Sequence, residues 1–152
     1  MPAPSDFKRP ESVLVVVYTR ARECLLLERV QPAGFWQSVT GSLRWGETPA
    51  DCAARELGEE TGLGAAGLRD TGVQREFPIL PAWRARYAPS VATNREHLWQ
   101  LELPARQPVR LQPAEHVAFE WLPFELAIPK VSSWTNRAAL QQLARAVSSM
   151  SS

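Results

Sequence analysis

Ser12 to Tyr18 (SVLVVVY) is an unbroken run of mostly β-branched residues without alternation. That pattern predicts a strand covered on both faces, and therefore one central to its sheet. Cys24 to Val30 (CLLLERV) predicts a second strand, and the polar turn Thr19 to Glu23 between them suits an antiparallel hairpin. Phe35 to Thr40 (FWQSVT) follows Pro32-Ala33-Gly34 and predicts extended chain that gives way to a loop at Gly41. Further on, Gly72 to Phe77, Glu96 to Leu103 and Val117 to Leu122 read as strands, with imperfect alternation in the middle one. Pro104, Pro108 and Pro113 punctuate the loops.

A helical rhythm replaces the extended one at two places. Thr48 and Pro49 read as an N-cap and first helical position, Asp51 as a carboxylate for the exposed amides, and Gly62 as the stop. Ala50, Ala53, Ala54, Leu57 and Thr61 share one side of this helix, a narrow face able to lie close to a sheet. A last helix is predicted from about Asn136 to Val147, with Leu140, Leu143, Ala144 and Val147 inward and Ser148 to Ser152 frayed. Strands and helices interleaved with long loops, many strands hairpin-linked, favour a mixed-sheet α+β sandwich over a doubly wound parallel fold.

Composition narrows the class. The 152 residues fit a single domain, 1–152, with a core over about 8–147 and a flexible polar C-terminal tail. At 45% hydrophobic the chain can build its own core, and a net charge of +1 leaves no global field for nucleic acid or an anionic membrane. Met1 to Pro10 does not read as a secretory signal, and Val13 to Val17, the longest aliphatic run, is too short to cross a bilayer. Cys24 and Cys52 lack any metal-site or redox spacing, which suits buried reduced thiols in a cytoplasmic protein.

The chemistry concentrates in the first helix. Glu56, Glu59 and Glu60 stand at i, i+3 and i+4 beside the apolar stripe. A salt-bridged solvent face would place cations four residues on, but Glu56 is followed there by Glu60, and Glu59 and Glu60 by Leu63 and Gly64. Only Arg55 can partner Glu59. Both Glu59 and Glu60 also sit in the last turn, where the helix dipole disfavours carboxylates. A hard divalent cation resolves both conflicts, since it takes several carboxylate oxygens and keeps room for water and phosphate.

The spacing Gly41, five residues, Glu47, seven residues, then Arg55-Glu56-Leu57-Gly58-Glu59-Glu60-Thr61-Gly62-Leu63 resembles at every position the signature of the Nudix hydrolases. The resemblance implies an αβα sandwich and a pyrophosphohydrolase using Mg²⁺ or Mn²⁺. In it Glu56 and Glu60 are the main metal ligands, and Glu59 is a further ligand or water contact. Arg55 and Glu47 tie the motif loop to the helix, with Arg55 and Glu59 counted among the catalytic set.

Beyond the motif the chain is similar to one branch, the dihydroneopterin triphosphate pyrophosphohydrolases of bacterial folate synthesis. This rests on Lys8-Arg9-Pro10, Arg29, Phe35 to Ser42, Arg86 to Pro89 with Val91 and Asn94, Glu115-His116 with Trp121-Leu122, and Ser133 to Arg137. The branch implies Lys8, Arg29, Thr40 and Ser133 as substrate contacts, and Glu115 as an additional ligand and general base. Other readings stay open. Ser133 is also a helix cap, Trp36 and Trp134 are stacking surfaces or packing, His116 is a hydrogen-bonded structural residue, and His97 is packing or surface. The loop residues Arg44 and Trp45 contact substrate or merely pack. The partner is then a small-molecule triphosphate, with neither nucleic acid nor membrane, and the chain is a monomer or homodimer. Broad (d)NTP or dinucleoside polyphosphate hydrolysis is the alternative activity, and a non-catalytic nucleotide-binding domain the alternative class.

Overall fold

The computed structural model describes residue 3 and residues 6 to 150. Ser151 and Ser152 of the expected frayed tail lie outside the described residues, as do Met1, Pro2, Pro4 and Ser5 of the amino-terminal segment. The described chain forms strands β1 (Glu11–Thr19), β2 (Glu23–Arg29), β3 (Trp36–Gln37) and β4 (Val39–Ser42), helix α1 (Pro49–Thr61), and strands β5 (Arg69–Pro78), β6 (Thr93–Leu103) and β7 (His116–Pro123), followed by helices α2 (Phe124–Lys130) and α3 (Trp134–Met150). A 3-10 helix, Pro81–Arg86, interrupts the loop between β5 and β6.

β1 is central for the reason its sequence gives. It runs parallel to β6 over its whole length, and its alternate side chains feed two cores. Val13, Val15 and Val17 join Leu25, Leu27, Cys52, Ala53, Leu57 and Leu101 beneath α1. Leu14, Val16 and Tyr18 join Leu26, Leu98, Phe124, Leu140 and Leu143 beneath α2 and α3. The result is a helix layer on each face of a seven-stranded mixed sheet, the αβα sandwich of an α+β fold.

The sheet opens in the middle, and this opening positions the site. β1 and β2 pair only at Tyr18 and Cys24, beside the hairpin turn. Away from the turn they diverge, β4 lying along Ser12–Val15 of β1 and β3 along Leu27–Glu28 of β2. Phe35 to Thr40 is therefore not one strand. It breaks at Ser38, whose backbone amide donates to Asn136 Oδ1 at 2.7 Å and whose hydroxyl accepts from Asn136 Nδ2 at 2.9 Å. Extended chain then continues through Gly41 to Ser42 instead of ending before the glycine.

α1 is capped as expected: Thr48 Oγ1 accepts from the Asp51 amide at 3.1 Å, and Gly62, at φ 75°, closes the helix in the left-handed region that glycine tolerates. Its inward face differs from the small-residue stripe. Cys52, Ala53, Leu57, Glu60 and Thr61 are buried, while Ala50 is exposed and Ala54 half-buried. This rotation carries a glutamate into the interior. Three further differences are local. α2 is hidden from pattern reading by Pro123 and Pro129, which read as loop punctuation. α3 begins at Trp134 and stays helical through Met150. β5 extends beyond Gly72 to Phe77 at both ends. Both cysteines are free and buried, and burial pushes the Cys52 thiol up to about 12.

Candidate active site

Gly41 and Glu56 explain the start of the motif. A Cβ on Gly41 would overlap the Glu56 carboxyl, so only glycine lets β4 lie against that side chain. Arg55 then locks loop to helix. Its Nε and Nη2 donate to the two Glu47 oxygens at 2.8 Å each, Nη2 reaches the Ser42 carbonyl at 3.2 Å, and Nη1 meets Glu56 Oε1 at 2.8 Å. The paired guanidinium holds Glu47 down to about 2. Glu59, half-exposed, is shared between Arg55 at 3.3 Å and Arg44 at 3.7 Å, so it has two cationic neighbours where the sequence offered one. Trp45 donates from Nε1 to the Phe7 carbonyl at 2.7 Å, tying the motif loop to the N-terminal segment.

Glu60 is the exception on this helix. Its side chain is 1% exposed and neither carboxyl oxygen has a hydrogen-bond partner. Burial raises its pKa well above the ordinary carboxylate value, and Glu56 and Glu115 beside it raise it further. Glu56 is raised as well, first by burial, with Arg55 opposing. From the far wall Glu115 and His116, at the start of β7, complete the group: donor atoms of Glu60, Glu115 and His116 lie within 4.8 Å of one another. His116 is buried and held down to about 4 by burial and then Arg29, so it is neutral. Gln37 Nε2 donates to its Nε2 at 3.1 Å, and that same nitrogen is 3.7 Å from Glu60.

Positive charge shares the cleft with the carboxylates, and Arg29 is the cross-strand partner of His116. Lys8, Arg29 and Arg86 line the same cleft as Glu56, Glu60 and Glu115. The Lys8 amide donates to the Arg86 carbonyl at 2.8 Å, which brings the N-terminal segment and the 3-10 helix together over the site. Desolvation by the cleft walls, then Arg86 and Arg29, lowers the Lys8 pKa, with Glu56 opposing. Arg29 is steered by Nε donating to the Gln31 carbonyl at 2.7 Å and lies 5.9 Å from the Phe35 ring centre.

A family model for the NUDIX domain matches residues 8–143. The chain is 40% identical over 141 residues to a dihydroneopterin triphosphate diphosphatase of Escherichia coli (strain K12), covering 90% of this chain and 93% of that one. It is 36% identical over 142 residues to one of Haemophilus influenzae, covering 90% and 89%. The solved structure of an E. coli dihydroneopterin triphosphate pyrophosphohydrolase superposes with a TM-score of 0.83 at 39% identity, covering 90% of this chain and 95% of that one. The chain belongs to the Nudix family.

Nudix hydrolases work with a divalent metal, and the residues here fit one. A buried carboxylate with two unpartnered oxygens is costly unless a cation compensates it, and Glu56 and Glu115 supply further hard oxygen donors around it. Of the residues the sequence singled out, the fold brings Glu56, Glu60, Glu115, Lys8 and Arg29 to one cleft. Arg55 serves as the brace between Glu47 and Glu56, and Glu59 lies at the rim. Thr40 lines the cleft, but its hydroxyl donates to the Val13 carbonyl at 2.9 Å. Ser133 caps α3, accepting from the Asn136 amide at 3.1 Å, while also lining the adjoining cavity. His97 pairs with Glu11 at 2.5 Å, away from the cleft.

Two contributors, Arg86 and Gln37, carry no clear mark in the sequence, whereas His116 reads there as the hydrogen-bonded residue that it is. Arg86 shows there only as part of a segment pattern, since nothing local says that Pro81–Arg86 folds back over Lys8. His116 and Gln37 meet across β7 and β3, elements that pair only through β2. The adjoining cavity, of ≈ 340 Å³, shares Lys8, Arg29, Gln37 and Thr40 with the acidic cleft but is otherwise largely apolar, walled by Phe77, Ile79, Leu80, Trp83 and Trp134. Trp134 faces this cavity and is 56% exposed, whereas Trp36 lies under the Lys130 ammonium at 4.2 Å.

Proposed function

We propose that this chain hydrolyses 7,8-dihydroneopterin triphosphate to the monophosphate and pyrophosphate, with Mg²⁺ as cofactor, in the cytoplasm. The observation that carries it is one cleft lined both by Lys8, Arg29 and Arg86 and by Glu56, Glu60 and Glu115, adjoining a largely apolar cavity. Cations and carboxylates able to hold a metal, gathered in one cleft, are what a triphosphate requires, and the cavity suits an attached ring. The names of the E. coli and H. influenzae relatives support this substrate.

In this reading Glu56, Glu60 and Glu115 would hold the ion, with Glu59 a further ligand or water contact. When bound, Mg²⁺ would neutralise phosphate charge and lower the pKa of a water molecule. Lys8, Arg29 and Arg86 align the chain of phosphates and take up the charge that spreads over the transferring phosphoryl group. Glu115, exposed at the cleft mouth, accepts the proton of the attacking water as its oxygen bonds to phosphorus and the anhydride bond to pyrophosphate breaks. Arg55 keeps Glu56 and Glu47 in place, and Thr40 and Ser133 offer polar contacts along the ring side.

The test is a panel of dihydroneopterin triphosphate, dATP, GTP and diadenosine tetraphosphate with Mg²⁺, separating pyrophosphate from orthophosphate. Preference for the pterin with pyrophosphate leaving is expected. Equal rates on every compound would assign instead a broad nucleotide hydrolase.

A further inference from the structure

The turn that delivers Glu47 to its brace is held from outside the motif. Arg44 to Glu47 is a tight turn: the Glu47 amide donates to the Arg44 carbonyl at 3.0 Å, and Gly46 takes the positive φ, 84°, that such a turn asks of its third residue. Both ends of this turn meet the segment that leads into β1. Arg9 Nη1 donates to the Arg44 carbonyl at 3.0 Å and to the Glu47 carbonyl at 2.9 Å. On either side of Arg9, the Phe7 carbonyl accepts from Trp45 Nε1 at 2.7 Å and the Glu11 carbonyl from the Leu43 amide at 2.9 Å. Lys8, between Phe7 and Arg9, lines the acidic cleft instead.

Arg9 is itself aimed. Its Nη2 donates to Glu11 Oε1 at 2.8 Å, and the other Glu11 oxygen accepts from His97 Nε2 at 2.5 Å. Only 22% of the Arg9 side chain, 23% of Glu11 and 13% of His97 is exposed, so water screens these pairs less than it would a surface pair. Burial works to raise the Glu11 pKa, but the hydrogen bonds from His97 and Arg9 outweigh it and leave the carboxyl below its ordinary value. On the motif side the Glu47 carboxylate accepts from the Arg44 amide at 2.9 Å and from Arg55, which also meets Glu56. A continuous line of hydrogen-bonded charges thus runs from His97 on β6, through Glu11 and Arg9 to the turn, and on through Glu47 and Arg55 to Glu56.

We propose that Arg9 is a positioning residue for the hydrolysis: aimed by Glu11 and His97, it clamps the motif turn so that the Glu47–Arg55 brace keeps Glu56 in place relative to Lys8. The metal-ligating carboxylates and the Lys8 ammonium belong to separate segments of chain, and the motif alone does not set the spacing between them. The backbone bonds at Phe7 and Glu11 join the same segments from the flanks, but Arg9 grips the turn that carries Glu47. One of its terminal nitrogens is committed to the motif loop and the other to its own strand. A lysine ammonium lacks the rigid fork that serves both at once. Loss of Arg9 therefore disturbs alignment at the metal and at the phosphates together, whereas loss of an ordinary staple lowers the melting temperature alone.

This rests on the metal and phosphate assignments made above, and metal binding without substrate separates the two. Mn²⁺ binding is followed by electron paramagnetic resonance, and hydrolysis of dihydroneopterin triphosphate with Mg²⁺ by steady-state kinetics, for the parent, Arg9→Met, Glu47→Gln and the double variant. Arg9→Met should lower kcat/KM by about a hundredfold, the loss expected of a misplacement of about 1 Å, and weaken Mn²⁺ binding about tenfold. Its melting temperature should stay within about 5 °C of the parent's. In the Glu47→Gln protein the further effect of Arg9→Met should shrink to within about threefold, because the turn has already lost the brace it serves. His97→Gln keeps a donor for Glu11 and should stay near the parent, whereas His97→Leu should follow Arg9→Met part of the way. Independent, multiplying losses in the double variant, or parental Mn²⁺ binding in Arg9→Met even with a slower rate, overturn the proposal. A parent that hydrolyses the pterin poorly, but whose Mn²⁺ affinity falls with Arg9→Met, breaks the substrate reading alone. If Arg9→Met does not fold, Arg9→Lys carries the same test, with weaker Mn²⁺ binding expected and parental binding overturning it.

Discussion

At the acidic end of the cleft Glu56, Glu60 and the Arg55 brace come from one stretch, Gly41 to Glu60, while Lys8, Arg29, Arg86 and Glu115 are brought to it by the fold. At the ring end no two contributors are neighbours in a motif: Ser12 comes from β1, Asn94 and Glu96 from β6, Trp83 from the 3-10 helix, and Trp134 from α3. The motif's part of the first end is set by helical spacing and one bidentate ion pair, which a sequence specifies by itself. The second is set by the parallel register of β1 with β6, which exists only once the sheet has formed. The family motif therefore sits on local structure, and the apolar cavity beside it sits on tertiary structure, where it can vary without disturbing the first.

The largest effect that would break this division is at Glu60. Glu60→Gln keeps shape and removes the buried charge, so kcat with Mg²⁺ should fall by roughly a thousandfold or more. Thermal stability should hold or rise, because an unpaired buried carboxylate is lost with it. Steady-state kinetics and a melting curve check both, and near-normal turnover would remove Glu60 from the metal site.

Next in size is Gly41→Ala, which removes no candidate metal ligand. Its new Cβ must displace the Glu56 carboxyl, and misplacement by about 1 Å costs on the order of a hundredfold in rate. The fold should survive, since β4 keeps its pairing with β1. Metal titration should show weakened binding in parallel. An alanine variant with parental kcat would mean Glu56 works from some other position.

Both positions are legible in the amino-acid sequence, because each belongs to a local geometry. Gly41 and Glu60 fall in a motif whose spacing is itself a geometric statement, and the caps Thr48 and Gly62 mark where α1 begins and ends. β1 is legible because burial on both faces leaves no polar residue between Val13 and Val17. What the sequence hides depends on contacts distant along the chain. The break at Ser38 needs Asn136, 98 residues away. Arg86 is brought to the cleft by the Pro81–Arg86 turn, whose last carbonyl accepts from the Lys8 amide, and α2 is preceded by Pro123 and holds Pro129, which argue for loop. Glu96 reads as one more polar position in an imperfectly alternating strand, and only the register sets it beside Ser12 at the end of a buried face.

The ring end predicts a smaller, pH-dependent effect on stability. Burial raises the Glu96 pKa from 4.5 to about 7, with the Thr135 hydroxyl and Arg75 opposing. Lys8 and Arg29 line the same cavity farther off. Between those two values the folded protein binds more protons than the unfolded chain, so the contribution of this group is present below about pH 4.5 and is lost as pH rises through about 7. The loss is of order 2–3 kcal/mol. Urea unfolding at about pH 5 and about pH 8 should show it in the parent, and Glu96→Gln should flatten the difference. Equal slopes in the two proteins would mean that Glu96 is not held in the cavity as a buried acid.

The smallest effect separates two glutamates that are adjacent in sequence. Glu60 is buried with no hydrogen-bond partner, whereas Glu59 is half-exposed and already compensated by Arg55 and Arg44. A metal ion gains most from the carboxylate that has nothing else to bind, and least from one that must first release two guanidinium groups. Glu59→Gln should therefore lower kcat by about tenfold at most, with KM for Mg²⁺ rising modestly and stability changing by less than about 1 kcal/mol, the usual worth of an exposed pair. A loss as deep as that of Glu60→Gln would show that Glu59 leaves its arginines and turns inward when the substrate complex forms. The acidic end would then be assembled by its ligand instead of by helical spacing alone.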